Sequence, residues 1–309
     1  MSAPSRTGVG ISLVAVAAAL WGWWSLCFKN AERLSTTTLT ATTETAVVFV
    51  VMLVTMLPVA LVMRRRQERA GSTTRRSTKA WSLLLVLGVV DAGNALAFFQ
   101  AMQTTSVAIA VLTHYLAPLI VALLAPLVLH EKWRPSTLGA LALALAGLVL
   151  LLRPWTEVSS RDVVGACLGA LSAVCYATNF FLGKGLLAGG GANTSASFHP
   201  FEVAAWPKLS SVVVLVGAAL WQESVVVETV PLLILLVGGF FCGTIPTLLF
   251  YAGLERITAS QASVLTLVEP LVAVVVGVVV WHQALHPAGI VGALCVLGGA
   301  FIIARAQQA

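Results

Sequence analysis

The chain has 309 residues, of which 59% are hydrophobic and only 10% are charged, and its net charge is +6. Soluble domains carry about 25% charged residues, so this composition excludes a soluble globular protein and indicates a polytopic membrane protein. Little of the chain lies outside apolar segments, which leaves no room for a separate catalytic domain. We attribute the positive charge to orienting loops, and we expect no nucleic-acid partner.

Ten apolar segments predict an all-α integral membrane protein whose partner is the lipid bilayer. Each is near the roughly 20 residues that a helix needs to cross a bilayer. The first follows Arg6 and is longer than the apolar region of a signal peptide, so we interpret it as a span. Short links force several neighbouring helices to run antiparallel. In chain order the predicted spans are 8–29, 38–63, 80–102, 106–129, 136–153, 163–187, 199–220, 230–253, 259–282 and 287–305.

The basic residues predict the orientation. With the N-terminus in the cytoplasm, thirteen Lys and Arg lie on the cytoplasmic side and four on the outer side. This bias follows the positive-inside rule, so we expect both termini in the cytoplasm and place the chain in a bacterial inner (plasma) membrane. Residues 64–79 form the predicted basic cytoplasmic loop. The thirteen are Arg6, Arg64, Arg65, Arg66, Arg69, Arg75, Arg76, Lys79, Lys132, Arg134, Lys184, Arg256 and Arg305, and the four are Lys29, Arg33, Arg153 and Arg161.

The chain also repeats itself. Shifting it by 152 residues places Phe99–Arg153 on Tyr251–Arg305 without a gap, and prolines, histidines and glycines coincide. We therefore predict two repeats of five helices each, at 8–153 and 163–305. Because five is odd, the second repeat enters the membrane inverted relative to the first. Inverted repeats are typical of transporters that work by alternating access.

The two repeats end in similar segments, LTHYLAPLIVALLAPLVLHEKWRP and LTLVEPLVAVVVGVVVWHQALHP. These resemble the EamA repeats of the drug/metabolite transporter superfamily, in which an apolar helix has a central proline and an acid near its end. A final helix rich in Gly and Ala follows. The match is clearest at Pro118 with Glu131 and at Glu269. In the second repeat Gln283 stands where the family usually has an acid.

The resemblance implies ten helices around a central cavity and a secondary transporter that exports amino acids or other small metabolites. Among the members of the superfamily, the chain is similar to bacterial aromatic amino-acid exporters. The resemblance does not fix the substrate, and both facilitated diffusion and exchange for protons remain open.

Four acids lie inside predicted spans. An acid at a helix centre costs about 2.5–3.5 kcal/mol to insert, so such groups normally face a cavity. Lys208 is the one basic residue that we place within a span, so an ammonium group suits these acids better than a fixed anion. Each acid is interpreted either as a binding group for substrate or protons, or as a structural acid bonded to a neighbouring helix. The four are Glu44, Asp91, Glu202 and Glu269.

Two prolines predict kinks in the fourth and ninth helices. Pro118 frees the carbonyl of His114, and Pro270 frees the carbonyl of Thr266. Two such helices crossing at mid-membrane would each present a polar carbonyl to the predicted cavity.

Aromatic and amide side chains complete the candidate substrate site. Aromatic faces bind apolar side chains and cations, and a histidine can carry protons near neutral pH. We expect Trp21 and Trp24 to share a face of the first helix, because they are three residues apart. Core packing and the aromatic belt at the membrane interface remain open as alternatives. The candidates are Trp21, Trp24, Asn94, His114, Tyr115, Tyr176, Asn179 and Trp206.

Several motifs are absent. There is no GxxxxGK[ST] motif for ATP, no HExxH metal motif and no clustered catalytic set, so we expect neither a cofactor nor an enzyme. Two other functions remain open: uptake of a cationic amine such as choline, and a membrane-embedded enzyme or signalling subunit.

Overall fold

The computed structural model describes residues 6–69, 71, 77–156, 162–188, 198–222, 227–282 and 286–305. Over these residues the chain is helical, without strands, and ten helical segments are long and apolar enough to cross a membrane. The predicted all-α membrane fold is thus confirmed. The ten spans are Arg6–Leu34, Ala41–Arg69, Thr78–Thr104, Val107–Val128, Pro135–Leu152, Val163–Leu187, Pro200–Trp221, Thr229–Leu254, Ala259–Trp281 and Pro287–Arg305.

The spans comprise both continuous helices and pairs of shorter helices joined end to end. In chain order the helices are α1 (Arg6–Trp21), α2 (Trp24–Leu34), α3 (Ala41–Arg69), α4 (Thr78–Thr104), α5 (Val107–His114), α6 (Ala117–Val128), α7 (Pro135–Leu152), α8 (Asp162–Leu187), α9 (Pro200–Ala205), α10 (Pro207–Trp221), α11 (Thr229–Gly238), α12 (Ile245–Leu254), α13 (Ala259–Leu265), α14 (Val268–Trp281) and α15 (Pro287–Arg305).

Five spans are interrupted along their length. The first breaks at residues 22–23, the fourth at 115–116, the seventh at Trp206 and the ninth at 266–267, and the eighth passes through a π-helix at Gly239–Thr244. A broken span leaves backbone groups without their usual partners, which is tolerated inside a membrane only where protein or a cavity surrounds them.

The breaks of the fourth and ninth spans are each followed by one of the two prolines that the sequence singled out. Pro118 is the second residue of α6, and Pro270 is the third residue of α14. A proline in the first turn of a helix loses no hydrogen bond, because the amides of that turn have no partner within the helix. The fourth and ninth spans thus consist of two short helices each, and their breaks fall at equivalent places in the two repeats.

The repeats are held together by pairs of helices, one from each half. The contacts of α4 with α8 and of α7 with α15 are the most extensive. In the second pair the backbones almost touch: a Cβ on Gly147 would lie 2.6 Å from the carbonyl oxygen of Gly292. Small residues permit this close approach between membrane helices.

The short turn between α12 and α13 is held by two charged side chains: Glu131, from the link between α6 and α7, and Lys184, from α8. The Glu131 carboxylate accepts a hydrogen bond of 2.6 Å from the amide of Ala259, at the start of α13. Lys184 Nζ donates to the carbonyls of Leu254 and Ile257, each at 2.7 Å, after the end of α12. The helix dipole favours a negative charge at the start of α13, where Glu131 lies, and a positive charge at the end of α12, where Lys184 lies. In this structure, Glu131 therefore acts as a helix cap.

The predicted basic loop at 64–79 needs a correction. α3 continues to Arg69 and α4 begins at Thr78, so both ends of that range are helical. The Arg64 side chain pairs with Glu68 at 3.1 Å, four residues further on, and such pairs extend a helix beyond the apolar region. Arg75 and Arg76 lie outside the described residues.

Candidate functional site

Polar side chains line the contact between α4 and α8. Asn179 Nδ2 donates to Asp91 Oδ1 at 3.3 Å, and the Ser172 hydroxyl donates to Asn94 Oδ1 at 2.9 Å. Asp91 and Asn94 are three residues apart, and Ser172 and Asn179 are seven apart, so each pair shares one helix face. The structure thus brings three sequence-predicted site residues, Asp91, Asn94 and Asn179, to one interface between the repeats.

His114, at the end of α5, extends this polar contact. Its Nδ1 lies 2.6 Å from the Ser172 hydroxyl oxygen. Because Ser172 already gives its one hydrogen to Asn94, we assign the hydrogen of the imidazole to Nδ1. The ring stacks on Tyr176, with centroids 5.0 Å apart and planes 13° apart, and it lies 4.5 Å from the ring of Phe98.

An aromatic chain connects this stack to the first span. From Trp21 the rings follow one another through Phe250, Phe180 and Tyr176 to His114, with centroid distances of 5.3, 5.3, 5.2 and 5.0 Å. Offset and edge-on contacts at these separations are favourable for aromatic rings. This row of aromatic rings combines residues from both repeats.

Glu269 lies in the first turn of α14, directly after the break in the ninth span. Glu269 lies close to Tyr115, which is part of the break in the fourth span, and to Tyr176. The N-terminus of a helix favours a negative charge. No salt bridge to Glu269 occurs in the part of the chain that the structure describes.

Asp91 differs from Glu269 because it has a basic partner. Lys208 Nζ lies 2.5 Å from Asp91 Oδ2 and 4.3 Å from the centroid of the Phe49 ring. The sequence singled out Lys208 only as the lone base within a span. The structure shows which acid it neutralises, so Asp91 is not a free carboxylate here.

Glu202 and Glu44 are the two remaining acids. Glu202 is fully buried, and its Oε2 accepts a hydrogen bond of 3.0 Å from the amide of His199, which closes a capping box at the start of α9. Glu44, in the first turn of α3, is 2% exposed, and its Oε1 has no hydrogen-bond partner in the described structure. Trp206 lies at the break of the seventh span and packs edge-on against Trp81 at 5.4 Å.

Trp21 and Trp24 do not lie on one continuous helix, because the first span is broken between them. Trp21 ends α1 and Trp24 begins α2, where it stacks on Phe28 at 5.1 Å. Gly22 lies at the break, and a Cβ on it would be 2.7 Å from the carbonyl oxygen of Glu269. The break in the first span therefore abuts the break in the ninth, which a sequence pattern within one helix does not reveal.

The rings around His114, where we place the central cavity that the resemblance implies, are closely packed in this structure. His114 is 7% exposed and Tyr115 is 3% exposed, and the surrounding rings are in contact. A cleft of about 470 Å³ opens instead at one end of the bundle, beside Glu131, Lys184 and Arg256. Among the described residues no group of three or more His, Cys, Asp or Glu could hold a metal ion.

The sequence matches the EamA-like transporter family twice, over residues 8–153 and over residues 163–305. The chain belongs to this family. The EamA-like chain is 29% identical over 231 residues to an uncharacterized transporter of Archaeoglobus fulgidus, covering 72% of this chain and 76% of the relative. It is 28% identical over 240 residues to the uncharacterized transporter YwfM of Bacillus subtilis, covering 74% and 75%.

A third relative has a named substrate. The chain is 27% identical over 210 residues to the threonine/homoserine exporter RhtA of Escherichia coli K12, covering 66% of this chain and 64% of the exporter, which is less than two thirds of its length. One solved crystal structure matches 98% of this chain and 100% of its own with a TM-score of 0.78 at 20% identity, which shows the fold alone. The chain is thus a multi-pass membrane transporter of the EamA type.

Proposed function

We propose that this EamA-like transporter exports amino acids, including aromatic ones, by alternating access. The observation that carries the proposal is Glu269, an acid within a span that has no basic partner in the described structure and lies beside Tyr115 and Tyr176. A carboxylate in this position attracts an ammonium group, and the neighbouring rings accept an apolar or aromatic side chain. The similarity to a threonine/homoserine exporter supports amino acids as the substrate class.

The broken spans supply the moving parts of the proposed mechanism. The breaks of the first, fourth and ninth spans all lie beside Glu269 or its neighbour Tyr115. Hinges at these breaks separate the His114 stack to admit a substrate from one side and close it from the other. Because the repeats are inverted, exchange of their conformations reverses the accessible side.

The experiment is counterflow into liposomes that contain the purified protein and are preloaded with unlabelled substrate. We expect saturable uptake of labelled threonine, homoserine or phenylalanine, and no uptake of labelled choline. Uptake of choline alone would favour an amine transporter, and uptake of none of these substrates would contradict the proposal. Repeating the assay with a pH gradient separates exchange for protons from facilitated diffusion.

We also propose that both termini lie in the cytoplasm of a bacterium, because the basic residues are concentrated on that side of the ten spans. Gln67, near the end of α3, would then be inside, and Gln222, after α10, outside. In a cysteine-free background, a membrane-impermeant maleimide applied to intact cells should label Gln222→Cys and spare Gln67→Cys. The reverse labelling would refute this orientation.

A further inference from the structure

The pair formed by Lys208 and Asp91 joins the two repeats at the polar interface. Asp91 belongs to α4 of the first repeat, and Lys208 belongs to α10 of the second. The two side chains are unequally buried, since 22% of Asp91 and 7% of Lys208 is exposed. Asp91 is also bonded to Asn179, whose Oδ1 is buried without a hydrogen-bond partner. The pair and its neighbour Asn179 therefore leave one polar atom, Asn179 Oδ1, without a hydrogen-bond partner among the described residues.

Tyr176 relates the pair to the proposed site. Asn179, which donates to Asp91, and Tyr176, which stacks on His114, are three residues apart on α8 and share one face, so the pair lies next to the proposed site. The ammonium group of Lys208 has three donors, and its hydrogen bond in the described structure is to Asp91. Lys208 can therefore serve a second anion without giving up the first.

We propose that Lys208 binds the carboxylate of the transported amino acid and thereby selects zwitterions over simple amines. This inference rests on the proposed function, in which Glu269 binds the ammonium group. A bound amino acid would then complete a row of alternating charges: Asp91, Lys208, the substrate carboxylate, the substrate ammonium and Glu269. Adjacent charges in this row are opposite in sign, so their attraction offsets part of the cost of burying them.

The substrate pair that tests this inference is an amino acid and its primary amide. Both carry the ammonium group and have nearly the same size, but the amide lacks the negative charge that Lys208 would bind. A hydrogen bond between charged groups corresponds to about tenfold or more in affinity, so wild-type protein should prefer the amino acid by at least about that factor in KM. Wild-type counterflow of both substrates is measured first.

Lys208→Met is the decisive variant. It removes the ammonium group that would bind the substrate carboxylate, and it leaves Asp91 uncompensated. KM for the amino acid should therefore rise about tenfold or more, while KM for the amide stays the same or falls. Lys208→Arg should restore the preference for the amino acid. If Lys208 is only structural, Lys208→Met should lower the transport of both substrates alike, mainly by reducing the amount of folded protein. The ratio of the two KM values would then stay unchanged.

A second variant covers the case in which Lys208→Met does not fold, since an unpaired buried acid is costly. Asp91→Asn combined with Lys208→Met removes both charges and keeps the side-chain volumes, and it should also lose the preference for the amino acid. A folded variant of either kind that keeps the wild-type ratio overturns the inference. Wild-type protein that transports neither substrate contradicts the proposed function itself, and the inference then fails with it.

Discussion

Gly88→Ala is expected to lower the stability of the protein strongly, because it places a methyl group where two helices touch. A Cβ at Gly88 would lie 1.9 Å from the carbonyl oxygen of Pro207 and 2.2 Å from the hydroxyl oxygen of Ser210. The Ser211 hydroxyl also donates to the Gly88 carbonyl at 2.8 Å. The methyl group must push α10 away from α4, because the nearest obstacle is backbone.

The expected magnitude follows from two costs. Overpacking a close contact costs about 1–3 kcal/mol, and each buried hydrogen bond that is stretched or lost adds roughly 1 kcal/mol. Moving α10 would also shift Lys208, the residue after Pro207, away from Asp91. We therefore expect a lower Tm in detergent and weaker transport by the protein that remains folded.

Gly93→Ala is the matched control for this prediction. Gly93 lies on the same helix as Gly88. A Cβ on Gly93 would have the Cys175 sulfur as its nearest neighbour, at 3.9 Å, which is an ordinary van der Waals distance. Alanine is also the better helix former, so this variant should be as stable as the wild type or slightly more so. Equal Tm values for the Gly88 and Gly93 variants would show that α4 and α10 are not in this close contact.

Glu269→Gln is expected to have the largest effect on transport. Glutamine keeps the shape of the side chain beside Tyr115, but it loses the charge that would bind the substrate ammonium. A charge-assisted hydrogen bond contributes about 1.5–3 kcal/mol, so kcat/KM in liposomes should fall by about tenfold to a hundredfold. The Tm should change little, because the buried charge is removed without changing the volume.

The control is Glu228→Gln, the same exchange just before α11 and outside the spans. Glu228 accepts hydrogen bonds from the amide and hydroxyl of Thr36, and these donors hold its pKa below the usual value. This variant should transport normally. Wild-type transport by Glu269→Gln would contradict the assignment of the ammonium site.

A pH gradient distinguishes two roles for Glu269. If the acid binds only the substrate, Glu269→Gln should weaken transport equally with and without the gradient. If the acid carries a coupling proton, the amide should abolish the dependence on pH while downhill exchange survives. Asp91→Asn is expected to differ from Glu269→Gln, because it removes the ion-pair partner of Lys208 and leaves that ammonium group uncompensated.

Hydropathy predicts the ten spans well because the lipid bilayer imposes one rule on each of them. Each span must be apolar over about the same length, so the order and approximate ends of the helices can be derived from the sequence alone. The ends are less certain, as at Arg69, where pairing within the helix extends α3 beyond its apolar residues.

The breaks within the spans are harder to predict because they depend on the neighbouring helix. Pro207 after Trp206 and the pair Gly238–Gly239 are local signals, and both occur at interruptions that hydropathy does not detect. At Gly22 the cause lies elsewhere in the chain, in the close approach of the Glu269 carbonyl. Such a contact between residues far apart in the sequence leaves no periodic pattern.

The sequence predicts which types of residue form the site, but it predicts only in part which of these residues contact each other. Asp91 and Asn94 are recognisable as polar residues on one helix face. The partner Lys208 is recognisable as a base in a span, but nothing in the sequence assigns it to Asp91. Ser172, which connects Asn94 to His114, is an ordinary serine in an apolar helix and became visible only through its hydrogen bonds.

The most direct measurement is an experimental structure of the protein with a transported amino acid bound. We expect the ligand beside Tyr176, with its ammonium group at hydrogen-bonding distance from Glu269 and its carboxylate towards Lys208, and with the His114 stack opened to admit it. A ligand found instead in the cleft beside Glu131 and Lys184, with the His114 stack closed and Glu269 without contact to the ligand, would contradict the proposed site.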